Sequence, residues 1–141
     1  LYGPSGNGKT TMARYLARRM GLPLIEVKAD SIIDSRMGST GRNINLIFEN
    51  LKEPCILFWD EVDSIGRRRG GLGQDKGVEV ENERMVNSML LNLDRLDTNV
   101  IFVGATNRRE VLDSAFVRRF DAQFEVSPPG LQEKQVFARQ L

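Results

Sequence analysis

The chain has 141 residues, 40% apolar and 28% charged, which suffices for one globular core. A net charge of +1 provides no global field to draw nucleic acid or an acidic membrane, and no apolar run approaches the length of a membrane span. The absence of histidine excludes His-based acid–base chemistry and argues against a zinc site. The single Cys55, set in an apolar run, excludes an intrachain disulfide and fits a buried thiol in a reducing, cytoplasmic setting.

The chain opens on a glycine-rich turn, Gly3-Pro4-Ser5-Gly6-Asn7-Gly8, followed by a cation and two hydroxyls, Lys9-Thr10-Thr11. From Lys9 to Met20, apolar residues at Met12, Leu16 and Met20 have helical spacing, and Gly21 closes the run. Residues 24–27 predict a short strand. Residues 42–51, with Ile44, Ile47, Phe48 and Leu51, predict a helix with one apolar face. The continuous apolar run at 55–59 suits a strand buried on both sides in a parallel sheet. Residues 66–77 are rich in Gly and Arg, lack periodicity and read as a mobile loop. Residues 83–96 carry Met85, Met89, Leu93 and Leu96 on one helical stripe, and 100–103 form another buried strand. One or two helical turns at 112–117, a last strand at 123–126 and a stop at Pro128-Pro129-Gly130 complete the pattern. Strands alternating with helices predict an α/β fold with a mainly parallel sheet, without repeats or low-complexity tracts. A glycine-rich turn of this kind normally follows a buried strand, of which only Leu1 and Tyr2 are present. The amphipathic pattern at 131–141 reads as a helix just begun, so the chain is expected to be a piece of a longer one.

Gly3-x-x-x-x-Gly8-Lys9-Thr10 fits the Walker A pattern. Glycines let the backbone curl so that several N–H groups face phosphate oxygens, and the following helix adds its positive end. In this reading Lys9 meets the β- and γ-phosphates, and Thr10 offers its hydroxyl to Mg²⁺. The competing reading is a plain strand-to-helix turn. The helix directly after the loop favours phosphate binding by residues 3–11.

Ile56-Leu57-Phe58-Trp59 leads into Asp60-Glu61. In open α/β sheets ligands collect at the carboxyl ends of strands, where this pair emerges. Asp60 then holds Mg²⁺ opposite Thr10, and Glu61 is free to polarise an attacking water. A solvated acidic turn, Asp60-Glu61-Val62-Asp63, is the bland alternative, and the Walker A upstream weighs against it.

With Gly104-Ala105-Thr106-Asn107 and Leu112-Asp113-Ser114-Ala115-Phe116-Val117-Arg118-Arg119-Phe120-Asp121 following in order, the chain resembles the classical branch of the AAA family of ring-forming ATPases. The resemblance implies a P-loop three-layer α/β sandwich. Residues 1–130 would be the large subdomain, and 131–141 would begin a helical lid. It implies ATP and Mg²⁺ as cofactors, and hydrolysis coupled to protein remodelling in a homo-oligomeric, hexameric ring. Asn107 takes the place of the sensor that meets the γ-phosphate or the water. Arg118 and Arg119 take the place of arginine fingers reaching a neighbour's nucleotide. The family's first pore loop carries an aromatic residue before a glycine. The matching stretch at 31–41 has Arg36 and Met37 instead, which puts threading of a polypeptide in question. The loop at 66–79 falls where a second pore loop would be, and its Arg67, Arg68 and Arg69 read as a solvated charge run.

Three other classes compete with this reading. A helicase-like motor needs a second motor domain and a basic groove. A nucleotide-gated scaffold has no need of Lys9, Asp60, Glu61, Asn107 and Arg118 together. A small-molecule kinase has no need of Glu61 beside Asp60, nor of Arg118-Arg119.

Overall fold

A computed structural model of the chain describes residues 1–28, 32, 39–65, 76–130, 133 and 135. Helix α1 spans Lys9–Met20, strand β1 Leu24–Lys28, α2 Ser39–Glu49, β2 Cys55–Asp60, α3 Lys76–Asp94, β3 Val100–Gly104 and α4 Ser114–Val117. Short 3₁₀ turns at Val62–Ser64 and Arg109–Val111 follow β2 and β3. The three strands pair in parallel in the order β1-β2-β3, with Val27 opposite Trp59 and Trp59 opposite Gly104. The chain is thus α/β with a parallel sheet flanked by helices, as the alternation in the sequence predicts.

The apolar run of β2 explains its central place. Ile56, Leu57 and Trp59 are 0% exposed, a burial that only a strand covered on both faces attains. On one face Phe58 packs with Ala13 of α1 and with Ala105. On the other, Cys55, Leu57 and Trp59 join Ile44 of α2 and Val86 and Met89 of α3. Burial pushes the Cys55 thiol pKa above its ordinary value, so this cysteine is a small core residue rather than a nucleophile. Phe48, Trp59, Phe102 and Phe120 form a chain of ring contacts at centroid distances of 6.3–6.4 Å and then 5.7 Å. Phe116 closes it edge-on to Phe120 at 5.2 Å.

Element boundaries moved where local hydrogen bonding overrode periodicity. The second helix starts at Ser39 rather than 42. It ends at Glu49 because the Leu51 N–H bonds back to Phe48 in a tightened last turn, while the Asn50 amide bonds Leu46 O at 2.6 Å. The third helix starts at Lys76 and runs through Gly77, so the predicted loop ends two residues early. It stops at Asp94, where Arg95 and Leu96 bond back three residues. No strand forms at 123–126. Tyr2 makes single parallel bridges to Thr106 and Glu125, and one paired residue is too short for a ladder. These bridges still place Leu1–Gly3 beside the end of β3, through Gly3 N–H to Thr106 O, Thr106 N–H to Leu1 O and Val126 N–H to Tyr2 O. Most of the first pore-loop stretch, residues 66–75 with the three arginines, and most of 131–141 lie outside the described residues.

Truncating Leu57 to Ala should cost about 2–5 kcal/mol of unfolding free energy in a denaturant titration, because the site has no solvent to collapse towards. A loss under about 1 kcal/mol would contradict the burial of β2 on both faces.

Candidate functional site

The glycine-rich turn is shaped by what its neighbours leave room for. A Cβ on Gly3, at φ 144°, would lie 2.4 Å from the Val126 carbonyl oxygen, so only glycine fits there. Gly8 takes φ 88° and launches α1 without a side-chain cap, and the first turn of α1 carries no acid. The N–H groups at this helix start therefore keep their positive end towards the cleft in front of them. Lys9 is nearly buried, and its ammonium donates to the Gly3 and Pro4 carbonyls at 2.8 and 2.9 Å. The cation is held by the loop that it would help to charge.

Across the cleft, β2 delivers Asp60 and Glu61. The Thr10 hydroxyl donates to Asp60 Oδ2 at 3.3 Å, and the Glu61 N–H donates to Asp60 Oδ1 at 3.0 Å. Glu61 is exposed and sits at φ 52°, ψ 44°, a left-handed conformation uncommon for a residue with a side chain. At the end of β3, the exposed Asn107 faces the same opening, and its side chain makes no hydrogen bond among the described residues.

These groups share one cleft of about 300 Å³, lined by Ser5, Gly6, Gly8, Lys9, Thr10 and Thr11 from the loop and helix. Asp60, Glu61, Thr106 and Asn107 line the facing side. Of the residues proposed from sequence, Gly3 and Pro4 hold Lys9 rather than line the cleft. Asn7 does not line the cleft either, since its amide donates to Val126 O at 3.0 Å. Thr106, which the sequence presents only as part of a segment, lines the cleft and bonds Asp63. A β-branched hydroxyl at the tip of a buried strand, next to Asn107, was the available signal.

A larger cavity of about 590 Å³ lies elsewhere, between α1 and β3, with Met12, Leu16, Phe102 and Phe124 among its walls. Its walls are mainly apolar, and Arg119 at its rim is already paired. It lacks the convergent polar groups that a triphosphate needs.

Arg118 and Arg119 stand at the end of α4, away from the cleft of their own chain. They differ sharply. Arg119 grips Asp94 with two nitrogens at 2.7 and 2.8 Å and donates a third bond to Ala115 O at 2.7 Å. These hydrogen bonds hold the Asp94 carboxyl below its usual range and push the Arg119 guanidinium above its own. The Arg118 side chain is exposed and has no partner among the described residues.

A magnesium ion fits the chemistry of the cleft. Among the described residues no group of three or more acidic, histidine or cysteine side chains is placed to hold a metal unaided. Mg²⁺ bound with a nucleotide needs only one or two protein oxygens, and Thr10 and Asp60 present such a pair.

The model of the ATPase family associated with various cellular activities (AAA) matches residues 1–128. The chain is 37% identical over 142 residues to the ATP-dependent zinc metalloprotease FtsH of Alkalihalophilus pseudofirmus, covering 96% of this chain and 20% of that protein. To the protein of the same name from Rhodococcus erythropolis it is 38% identical over 146 residues, covering 99% of this chain and 17% of that one. To that of Cutibacterium acnes it is 40% identical over 138 residues, covering 93% and 19%. The chain spans about a fifth of the length of these relatives. Loop, acidic pair and strand-end amide meet in one cleft, and the family model covers nearly all of the fold that builds it; the chain belongs to the ATPase family associated with various cellular activities (AAA).

Proposed function

We propose that this domain binds ATP with Mg²⁺ in the 300 Å³ cleft and uses its hydrolysis to remodel or unfold a protein substrate, as one member of an oligomeric ring. The observation that carries the reading is the contact of Thr10 with Asp60 in front of the uncapped start of α1, with Glu61 and Asn107 beside it. The loop N–H groups and the helix start hold phosphate oxygens. Lys9 exchanges its carbonyl partners for the β- and γ-phosphates. When bound, the magnesium ion neutralises charge on those oxygens. Glu61 accepts a proton as a water oxygen bonds to the γ-phosphorus, the bond from that phosphorus to the β–γ bridging oxygen breaks, and ADP and phosphate leave. Asn107 orients the water or the γ-phosphate.

The finger role falls to Arg118. Its guanidinium is free to reach a neighbouring subunit's phosphates, whereas all three nitrogens of Arg119 are bonded within its own chain. The relatives' names join ATP dependence to zinc proteolysis. A stretch without histidine contributes the ATP-driven part of such work rather than the zinc chemistry. A reducing, cytoplasmic setting accompanies this reading, on the strength of the buried free thiol of Cys55. Among the described residues no helix is long and apolar enough to cross a membrane.

ATP turnover by the full chain across a dilution series tests the proposal. Glu61→Gln should lose about 10²-fold or more of kcat while still binding ATP, since it removes the base and not the phosphate contacts. Equal turnover in wild type and Glu61→Gln would remove the hydrolytic reading. Lys9→Ala should abolish nucleotide binding in a calorimetric or fluorescence titration; retained affinity would mean that the ammonium never leaves the Gly3 and Pro4 carbonyls.

Arg118→Ala should lower turnover by about 10³-fold or more. Mixing Arg118→Ala with Glu61→Gln subunits should restore part of it, from interfaces that pair an intact Glu61 with an intact Arg118. Absence of any recovery would count against a site shared between subunits.

A further inference from the structure

We infer that Thr106 and Asp63 form a buried positioning pair that fixes Glu61 and Asn107 relative to each other; this rests on the ATP-hydrolysis reading above. The two residues come from different strands' ends. Asp63 lies in the 3₁₀ turn directly after Glu61, and Thr106 directly precedes Asn107. Thr106 is 4% exposed and Asp63 6%. The Thr106 hydroxyl donates to Asp63 Oδ1 at 2.7 Å, and Thr106 Oγ1 in turn accepts the Arg108 N–H at 2.9 Å. A hydroxyl has one proton and two lone pairs, and here the proton points to one loop and a lone pair to the other.

The consequence is local and geometric. Asn107 is bracketed by two residues that meet at the Thr106 oxygen, so its backbone has little freedom to swing. Glu61 precedes a turn anchored by Asp63 and by the bond from Val62 N–H to Ala105 O at 2.9 Å. A side-chain-bearing residue holds the left-handed conformation of Glu61 only where its surroundings enforce it. The anchored turn is that enforcement. Burying a carboxylate is costly compared with an apolar pair of the same shape, and such a pair would pack equally well. An apolar pair would not fix the direction of either loop. Neither Thr106 nor Asp63 needs to touch the reacting atoms; they act through Glu61 and Asn107.

The test compares wild type, Thr106→Val, Thr106→Ser and Asp63→Asn in the full chain. The readouts are kcat, ATP affinity, melting temperature and backbone amide exchange at 61–64 and 107–109 without nucleotide. Thr106→Val keeps the branched shape and removes the bond. It should lower kcat about tenfold or more, through misplacement of the two groups, with ATP affinity within about twofold of wild type. Amide exchange should rise in both segments together. Thr106→Ser should recover most of kcat. Asp63→Asn keeps an acceptor oxygen in place, so it should fold and stay within about threefold of wild-type kcat.

Wild-type kcat in Thr106→Val would overturn the inference. So would a loss of kcat matched by equal loss of ATP affinity and melting temperature, which marks a merely structural bond. If Thr106→Val does not fold, a collapse of kcat in a folded Asp63→Asn overturns the inference, because that variant retains the bond geometry. If wild type itself does not turn over ATP, the hydrolytic reading fails and takes this inference with it. An active wild type beside an equally active Thr106→Val sinks the inference alone.

Discussion

Trp59 pairs with Val27 on one side and Gly104 on the other, and that register decides where every candidate group of the cleft stands. Parallel strands end on the same side of a sheet, so Asp60 and Glu61 leave β2 beside the segment in which Thr106 and Asn107 leave β3. Leu1–Gly3 is drawn alongside β3 by backbone bonds to Thr106, which puts the glycine-rich turn at the same edge. A shift of β2 by one residue would turn Trp59 away from the ring contacts with Phe48 and Phe102. It would also reverse the side to which Asp60 points. The burial of β2 on both faces makes such a slip costly, so core packing and site geometry are fixed by one constraint.

Within that frame, the electrostatics of the cleft are opposed and close together. Lys9 and the start of α1 supply positive charge, while Asp60 and Glu61 supply negative charge across a narrow gap. Free carbonyls at Gly3 and Pro4 keep the Lys9 ammonium satisfied inside the fold. A buried cation without such partners would be costly, and one locked in a salt bridge with Asp60 would have to break that pair before meeting phosphate. Neutral carbonyls are weaker partners than phosphate oxygens, so exchanging one for the other has a favourable direction.

The sequence made the fold class and most of the cleft legible because both rest on short-range rules. The apolar run of β2 announced a strand covered on both faces, and Gly3, Gly8, Lys9 and Thr10 stand at the spacing that a phosphate loop requires. Boundaries were less legible. Gly77 is helical because its neighbours in α3 continue the backbone ladder, and residues 123–126 lack a partner long enough to make a strand of them. The bond of Asn7 to Val126 depends on where Val126 arrives, and the bond of Thr106 to Asp63 on how β2 meets β3. These are long-range contacts, and periodicity in a single chain does not carry them. The same holds for Arg118 and Arg119, adjacent and chemically identical in the sequence.

What separates those arginines is a neighbour distant in sequence. Asp94 at the end of α3 takes both forks of Arg119, and Ala115 takes a third bond, so the end of α4 is fastened to α3. The next ring along, Phe120, packs against Phe102 of β3 and closes over Gly104, where a Cβ would come within 3.1 Å of it. The α4 end is therefore anchored on two sides, by an ion pair at the surface and by aromatic packing beneath it. A guanidinium meant to act on another molecule needs a rigid base and a free head. Arg119 and Phe120 make the base rigid, and Arg118 carries the free head. Two adjacent arginines thus divide into one held against α3 and one left exposed, the one that the proposed function assigns to reaching a neighbour, and the division follows from which of them α3 can touch.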